Sequence, residues 1–275
     1  MRKFFYRLVY WGGGFGMLAL VSWTMLLDGI VANQTYSQHP KQITRLVGGT
    51  PKDTAIVLLA ATKSSSQQLA APVRDLLIPH GDVVVVEYNP VRFDGPATSY
   101  DTYQELHKWG YRKVVLVGDG LGNAVATDII SWDQALGGHT QFAVIMQNAP
   151  LLLQRWSPTT TYDLSATDFD EAISLVEHPG PVDNWGWRVI WDKQYPRSGY
   201  ITQTRYLVDH PSYQRNQYSG IQLVVLQPQS DLADSWEAVF GGGKVIQVSP
   251  DIGSTSQNQW RAALNQGLSA LPQGW

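Results

Sequence analysis

Residues 114–123 read VVLVGDGLGN. An apolar, β-branched run passes without interruption into three glycines spaced two apart, and a helical pattern opens at Asn123. A continuous run of this kind indicates a strand buried on both faces, as in a parallel sheet. The glycines that end it mark a tight turn, so the stretch reads as strand, turn and helix with Gly120 at the apex.

Similar runs stand on either side. Residues 55–60 (AIVLLA), 83–88 (VVVVEY), 113–117 (KVVLV) and 142–146 (FAVIM) are nearly continuous and apolar, and 221–227 (IQLVVLQ) and 244–248 (KVIQV) follow later. Helical patterns separate them at 67–77 (behind the capping serines 64–66), 99–109, 123–130, 233–240 and 258–271. The rhythm predicts an α/β fold with a doubly wound, mostly parallel sheet. Residues 33–51 read as a linker or a first irregular strand. The stretch 151–218, rich in Trp, Pro, Thr and Asp, breaks the rhythm and reads as an insertion over the C-terminal edge of the sheet.

The 275 residues suffice for one mid-sized domain, and a hydrophobic share of 44% argues against disorder. A net charge of −3 without a basic cluster gives no case for nucleic acid. The absence of cysteine excludes disulfides, thiol catalysis and Cys-ligated metal. The six histidines make neither an HxH nor an HExxH spacing, so no metal and no cofactor is expected. The eleven tryptophans are scattered and form no repeat.

At the N-terminus, Arg2, Lys3 and Arg7 precede an uncharged apolar stretch, residues 8–27, which Asp28 closes. About 20 such residues suffice to cross the hydrocarbon core as a helix. The bias of basic residues keeps the tail 1–7 cytoplasmic, with 28–51 as linker and 52–275 as an extracytoplasmic domain. A cleaved signal peptide with a site near Ala32 is the competing reading, and it would leave a secreted domain. Membrane contact is thus expected through this helix. Gly12 and Gly16 form a small-xxx-small pair, a pattern also common in membrane helices without a partner.

The strand–turn–helix unit resembles the nucleophile elbow of the α/β-hydrolase family, whose pattern is Gly, any residue, nucleophile, any residue, Gly. Gly118 and Gly122 take the flanking positions, Leu121 matches a common choice, and Gly120 falls on the nucleophile. The resemblance extends over almost the whole exported part, and the 151–218 insertion lies where the family often keeps a lid. It implies a catalytic acid at Asp231, with Asp234 as second choice, and a histidine near Ser254. No histidine follows His210. The loop corresponding to the family's oxyanion turn holds Thr62, Lys63 and Ser64, whose amides and lysine suit an anion. Asp119 is the alternative nucleophile, in a register that would set the bulky Val117 and Leu121 at the tight positions.

With nucleophile and base both missing, the resemblance implies a catalytically degenerate module that binds a small apolar ligand or a protein partner. The alternative is an active carboxylic-ester hydrolase with a displaced set, for example Asp119 or Ser157 with His178 or His210. A dinucleotide site is a third reading, but G-x-G-x-G is not the G-x-G-x-x-G fingerprint and no ribose-binding acid follows.

Overall fold

The computed structural model describes residues 41–47, 53–61, 65–89, 93–147, 214–227, 233–247 and 256–272, with single residues and pairs at 13–14, 16–17, 22–23, 202–203, 206–207 and 210. Among the described residues, seven strands form one sheet: β1 (Lys41–Leu46), β2 (Thr54–Leu59), β3 (Asp82–Tyr88), β4 (Lys113–Asp119), β5 (Gln141–Gln147), β6 (Gln222–Gln227) and β7 (Lys244–Gln247). Their order is β1-β3-β2-β4-β5-β6-β7. Only β1 runs antiparallel to its neighbour, with Lys41 opposite Tyr88 and Leu46 opposite Val83. Every other pairing is parallel.

The continuous apolar runs follow from burial on both faces. Val57, Leu59, Val84, Leu116 and Val144 point to one layer of helices, α3 (Gly95–Lys108), α4 (Leu121–Ala135) and α5 (Ala233–Phe240). Their neighbours Ile56, Leu58, Val83, Val115 and Ile145 point to the opposite layer, α1 (Ser66–Ala70), α2 (Arg74–Leu77) and α6 (Ser256–Ala270). Each fully buried side chain of this size stabilises the fold by about 1.5–3 kcal/mol. A polar residue on either face of β2 would break one layer.

The connections also fix where a ligand would bind. From β2 the chain steps outward to β3, then returns past β2 to β4 and continues through β5, β6 and β7 on the other side. The chain therefore leaves β2 and β4 in opposite directions, and a crevice opens beyond their C-terminal ends.

Several local expectations shift. The predicted 67–77 helix is two pieces, because Pro72 cannot continue the first and its ring clashes with the preceding turn. Asp94 starts α3 earlier than expected, its carboxylate accepting from Ala97 N at 3.0 Å. The 123–130 helix extends over Leu121–Ala135. Of the two readings of 33–51, a strand holds at Lys41–Leu46.

That edge strand is locked at the end of the sheet opposite the elbow. Arg45 donates to the fully buried Asp82 at 2.8 Å, and Tyr111 OH donates to the same carboxylate oxygen at 2.6 Å. The guanidinium also lies over the rings of Trp109 and Tyr111, at 5.6 and 5.2 Å. Burial and the bond to Asp82 push the Tyr111 phenol well above the usual tyrosine range.

Of the apolar stretch 8–27, the described residues 13, 14, 16, 17, 22 and 23 are helical, and Met17 and Trp23 are exposed. Among the described residues no helix is long and apolar enough to cross a membrane. The rest of the expected span lies outside them, as does 151–201 of the expected insertion.

Candidate functional site at the elbow

β4 ends at Asp119 and α4 begins at Leu121, leaving Gly120 alone in the turn with φ +49° and ψ −108°. That conformation is costly for any residue with a side chain, by about 1–3 kcal/mol. The turn hangs on one carbonyl at the end of the adjacent strand: Gln147 O accepts from Gly120 N at 3.1 Å and from Asn123 Nδ2 at 2.9 Å. Asn123 N in turn donates to Gly120 O at 3.0 Å, which starts the helix.

The flanking glycines are required by close approach. A Cβ on Gly118 would lie 2.5 Å from Asn123 Oδ1 and 2.9 Å from Asn123 N. A Cβ on Gly122 would overlap the backbone carbonyl of Leu59, so α4 could not settle against β2. Gly118, Asp119, Gly120, Leu121 and Gly122 therefore form a tight strand-to-helix turn. At its apex there is no side-chain atom to attack a carbonyl.

Beside it, at the β2/β4 crevice, opens a cleft of about 230 Å³. The strand ends contribute Ala60, Ala61, Asp119 and Gln147. Ser65, Gln68, Leu69 and Pro72 form the wall on the α1 side, and Gln257 and Trp260 of α6 form the other. Trp260 Nε1 donates to Leu69 O at 3.0 Å, which fixes the indole and joins the two walls. A larger cleft of about 390 Å³ lies at the far end of the sheet, beside Gly241, Gly242 and Gly243. It is remote from the elbow, and its only ionisable side chain among the described residues is Lys244.

Thr62, Lys63 and Ser64 of the expected anion loop lie outside the described residues, but the ends of that loop are held. Ala60 N donates to Ser66 Oγ at 3.1 Å. Ser65 Oγ donates to Glu87 Oε1 at 2.6 Å, and Gln67 N donates to the same oxygen at 2.5 Å. A serine bonded to a carboxylate suggests nucleophile and base. Here the carboxylate also accepts from the Gln67 amide at the start of α1, and Ser65 Oγ also caps Gln68 N. The pair holds α1 in place.

Asp231, Ser254, Ser157 and His178 lie outside the described residues, and Asp234 falls within α5. His210 is placed away from the elbow. Its Nε2 lies 3.1 Å from Asp128 Oδ1, and Tyr206 OH donates to Asp128 Oδ2 at 2.6 Å. Asp128 is seven residues into α4, about 10 Å along the helix from its start. The His210 side chain is only 3% exposed. Sequence reasoning missed Asp128 and Tyr206, and also Gln147 and Trp260 in the cleft. A lone Asp within the apolar stretch of α4 was the one available signal. Among the described residues no group of three His, Asp or Glu could hold a metal ion.

No protein-family model matches the sequence, and no curated protein matches it. Solved structures do. An esterase from Exiguobacterium antarcticum is similar with a TM-score of 0.57 at 12% identity, over 84% of this chain and 94% of that one. The hydrolase olei00960 from Oleispira antarctica gives 0.56 at 10%, over 87% and 98%. The type II thioesterase BorB from the borrelidin biosynthetic cluster gives 0.51 at 16%, over 75% and 88%. At such identities the likeness is one of fold, and it agrees with the sheet order and the elbow on which it rests: the chain has the α/β-hydrolase fold.

Proposed function

We propose that this chain is a membrane-anchored α/β-hydrolase-like protein that has lost hydrolytic chemistry and uses its exported domain to bind a ligand or a partner. One observation carries the reading: Gly120 occupies the apex of an intact elbow, where catalysis needs a nucleophile. The empty position near Ser254 supports it, because no histidine follows His210 in the sequence. Treatment of the full chain in detergent with a fluorophosphonate should give no stoichiometric label, and a panel of esters and thioesters should not turn over. A label mapping to one serine overturns the reading.

The alternative, a hydrolase with a displaced set, needs an imidazole beside its nucleophile. His210 is engaged with Asp128 well down α4, which leaves Asp119 without it. Ester turnover abolished by Asp119→Asn would establish that alternative. The anchor rests on the length of the uncharged stretch 8–27 and the basic residues before it. The full chain should remain in membranes through alkaline extraction, and a reporter fused after residue 275 should be active only on the extracytoplasmic side. Release into the soluble fraction with a shortened N-terminus would indicate a cleaved signal instead.

A further inference from the structure

We infer that the short tether into β1 turns the elbow end of the domain to the bilayer, which places its cleft on the side of the lipid headgroups. This rests on the anchor reading above and adds a direction to it.

Strand β1 sets that direction. Among the described residues it is the first strand after the apolar stretch, and it runs antiparallel to its neighbour. Lys41, where the chain enters it, stands opposite Tyr88 at the C-terminal end of β3. Leu46, where the chain leaves it, stands opposite Val83 near the other end. The elbow closes β4 at that same C-terminal end of the sheet, three strand spacings from β1 and so about 14 Å across it. A parallel β1 would have brought the chain in at the opposite end.

The tether is short against the height of the domain. Asp28 closes the apolar stretch and Lys41 opens β1, so residues 28–40, thirteen in all, join the bilayer surface to the elbow end. Fully extended they reach at most about 45 Å. To bring the opposite end to the bilayer, they must run back along the whole of β1. Its six residues take about 20 Å of that reach, and the loops beyond them take more. Every shorter path excludes the inverted placement, so over the placements that remain the elbow end is the nearer to the lipid.

Helix α6 makes the direction measurable. Its start, at Gln257 and Trp260, lines the cleft at the elbow end, and its last residue, Ala270, lines the cleft beside Gly242 and Gly243 at the other. Gln257 and Ser269 are exposed and about 18 Å apart along the helix axis. The chain has no cysteine, so Gln257→Cys and Ser269→Cys each give a single labelling position.

The test places the full chain, with one fluorophore at either position, in lipid nanodiscs whose headgroups carry an energy-transfer acceptor. Transfer should be at least about twofold faster from position 257 than from position 269. A second pair at exposed positions, Gln68→Cys at the elbow end and His139→Cys at the other, should give the same order and guards against a label that disturbs α6. Inserting 40 Gly and Ser residues after Asp28 raises the average reach of the tether to roughly 40 Å, beyond the length of the sheet, and should erase the difference. Equal transfer from the two ends, or faster transfer from 269 and 139, overturns the inference. So does a difference that survives the longer tether, since the direction then does not come through β1. The anchor reading falls only if alkaline extraction releases the chain; it stands where the chain is retained and the two ends transfer alike.

Discussion

A few atoms at the elbow decide between an enzyme and a fold that has kept an enzyme's turn. Gly122→Ala puts a methyl group into the carbonyl of Leu59, and nothing flexible can yield. It should cost about 3 kcal/mol, at the upper end of overpacking effects, read from the shift of the urea midpoint. Gly120→Ser faces a different obstacle, since the backbone must hold a side chain at φ +49°. The variant should lose about 1–3 kcal/mol of stability and still fail to hydrolyse p-nitrophenyl acetate, because a hydroxyl without a base is a poor nucleophile. Turnover by that variant would reveal a base that the described residues do not contain. This turn was the most legible part of the sequence, since glycine at fixed spacing records a steric requirement within a single short segment. That Gln147 Oε1 is buried with no hydrogen-bond partner among the described residues was not legible: it depends on which groups come near from distant parts of the chain.

Between elements, the segment returning toward β6 is fastened to the helical layer at named points. Thr202 Oγ1 accepts from Phe93 N at 2.8 Å, Tyr206 packs directly on Gly95, and Tyr206 and His210 share the Asp128 carboxylate. Tyr206→Phe should cost about 1 kcal/mol. In a double-mutant cycle with Asp128→Ala the two changes should be non-additive by at least 0.5 kcal/mol, since they remove the same bond. Strict additivity would mean that the segment docks by shape alone. The strands were readable because β-branched runs buried on both faces leave a local signature. Strand β1 was left open between linker and strand, because KQITRL has apolar residues only at Ile43 and Leu46, three apart and not on the two-residue period of a strand face, and its partner, β3, is about 40 residues away. The pairing of His210 with Asp128 was invisible for the same reason, at a separation of 82 residues.

At the scale of the molecule, the sheet and its two helical layers carry the stability, and buried phenols tie part of it to pH. Tyr218 is 1% exposed. Ser131 Oγ lies 3.0 Å from Tyr218 OH, within hydrogen-bonding reach. Burial pushes the phenol from the ordinary value near 10 up to about 12, with the Asp128 charge adding to the rise and the Ser131 bond opposing it. The folded state thus holds this proton more tightly than the unfolded chain. The associated stability is complete below pH 10 and is lost as pH rises from 10 toward 12, to a total of about 3 kcal/mol. Urea midpoints should fall steeply above pH 10, and Tyr218→Phe should flatten that fall. By contrast, the bidentate Arg261–Asp75 pair, which holds the Asp75 carboxyl below its usual range, is exposed on both sides. Its removal should hardly move the midpoint in physiological salt.

The indole that closes the cleft has a consequence in time. Trp260 bonds to a carbonyl 191 residues earlier in the chain, so one wall of the cleft comes from near the start of the domain and the other from its last helix. A chain made from its N-terminus can pair β2, β3 and β4 while synthesis continues, but it cannot finish the cleft until α6 has emerged. Contacts of such long range form slowly. The nascent domain therefore exposes the apolar faces of β5 and β6 that α6 will cover, and it depends on its surroundings to keep them apart until the chain is complete.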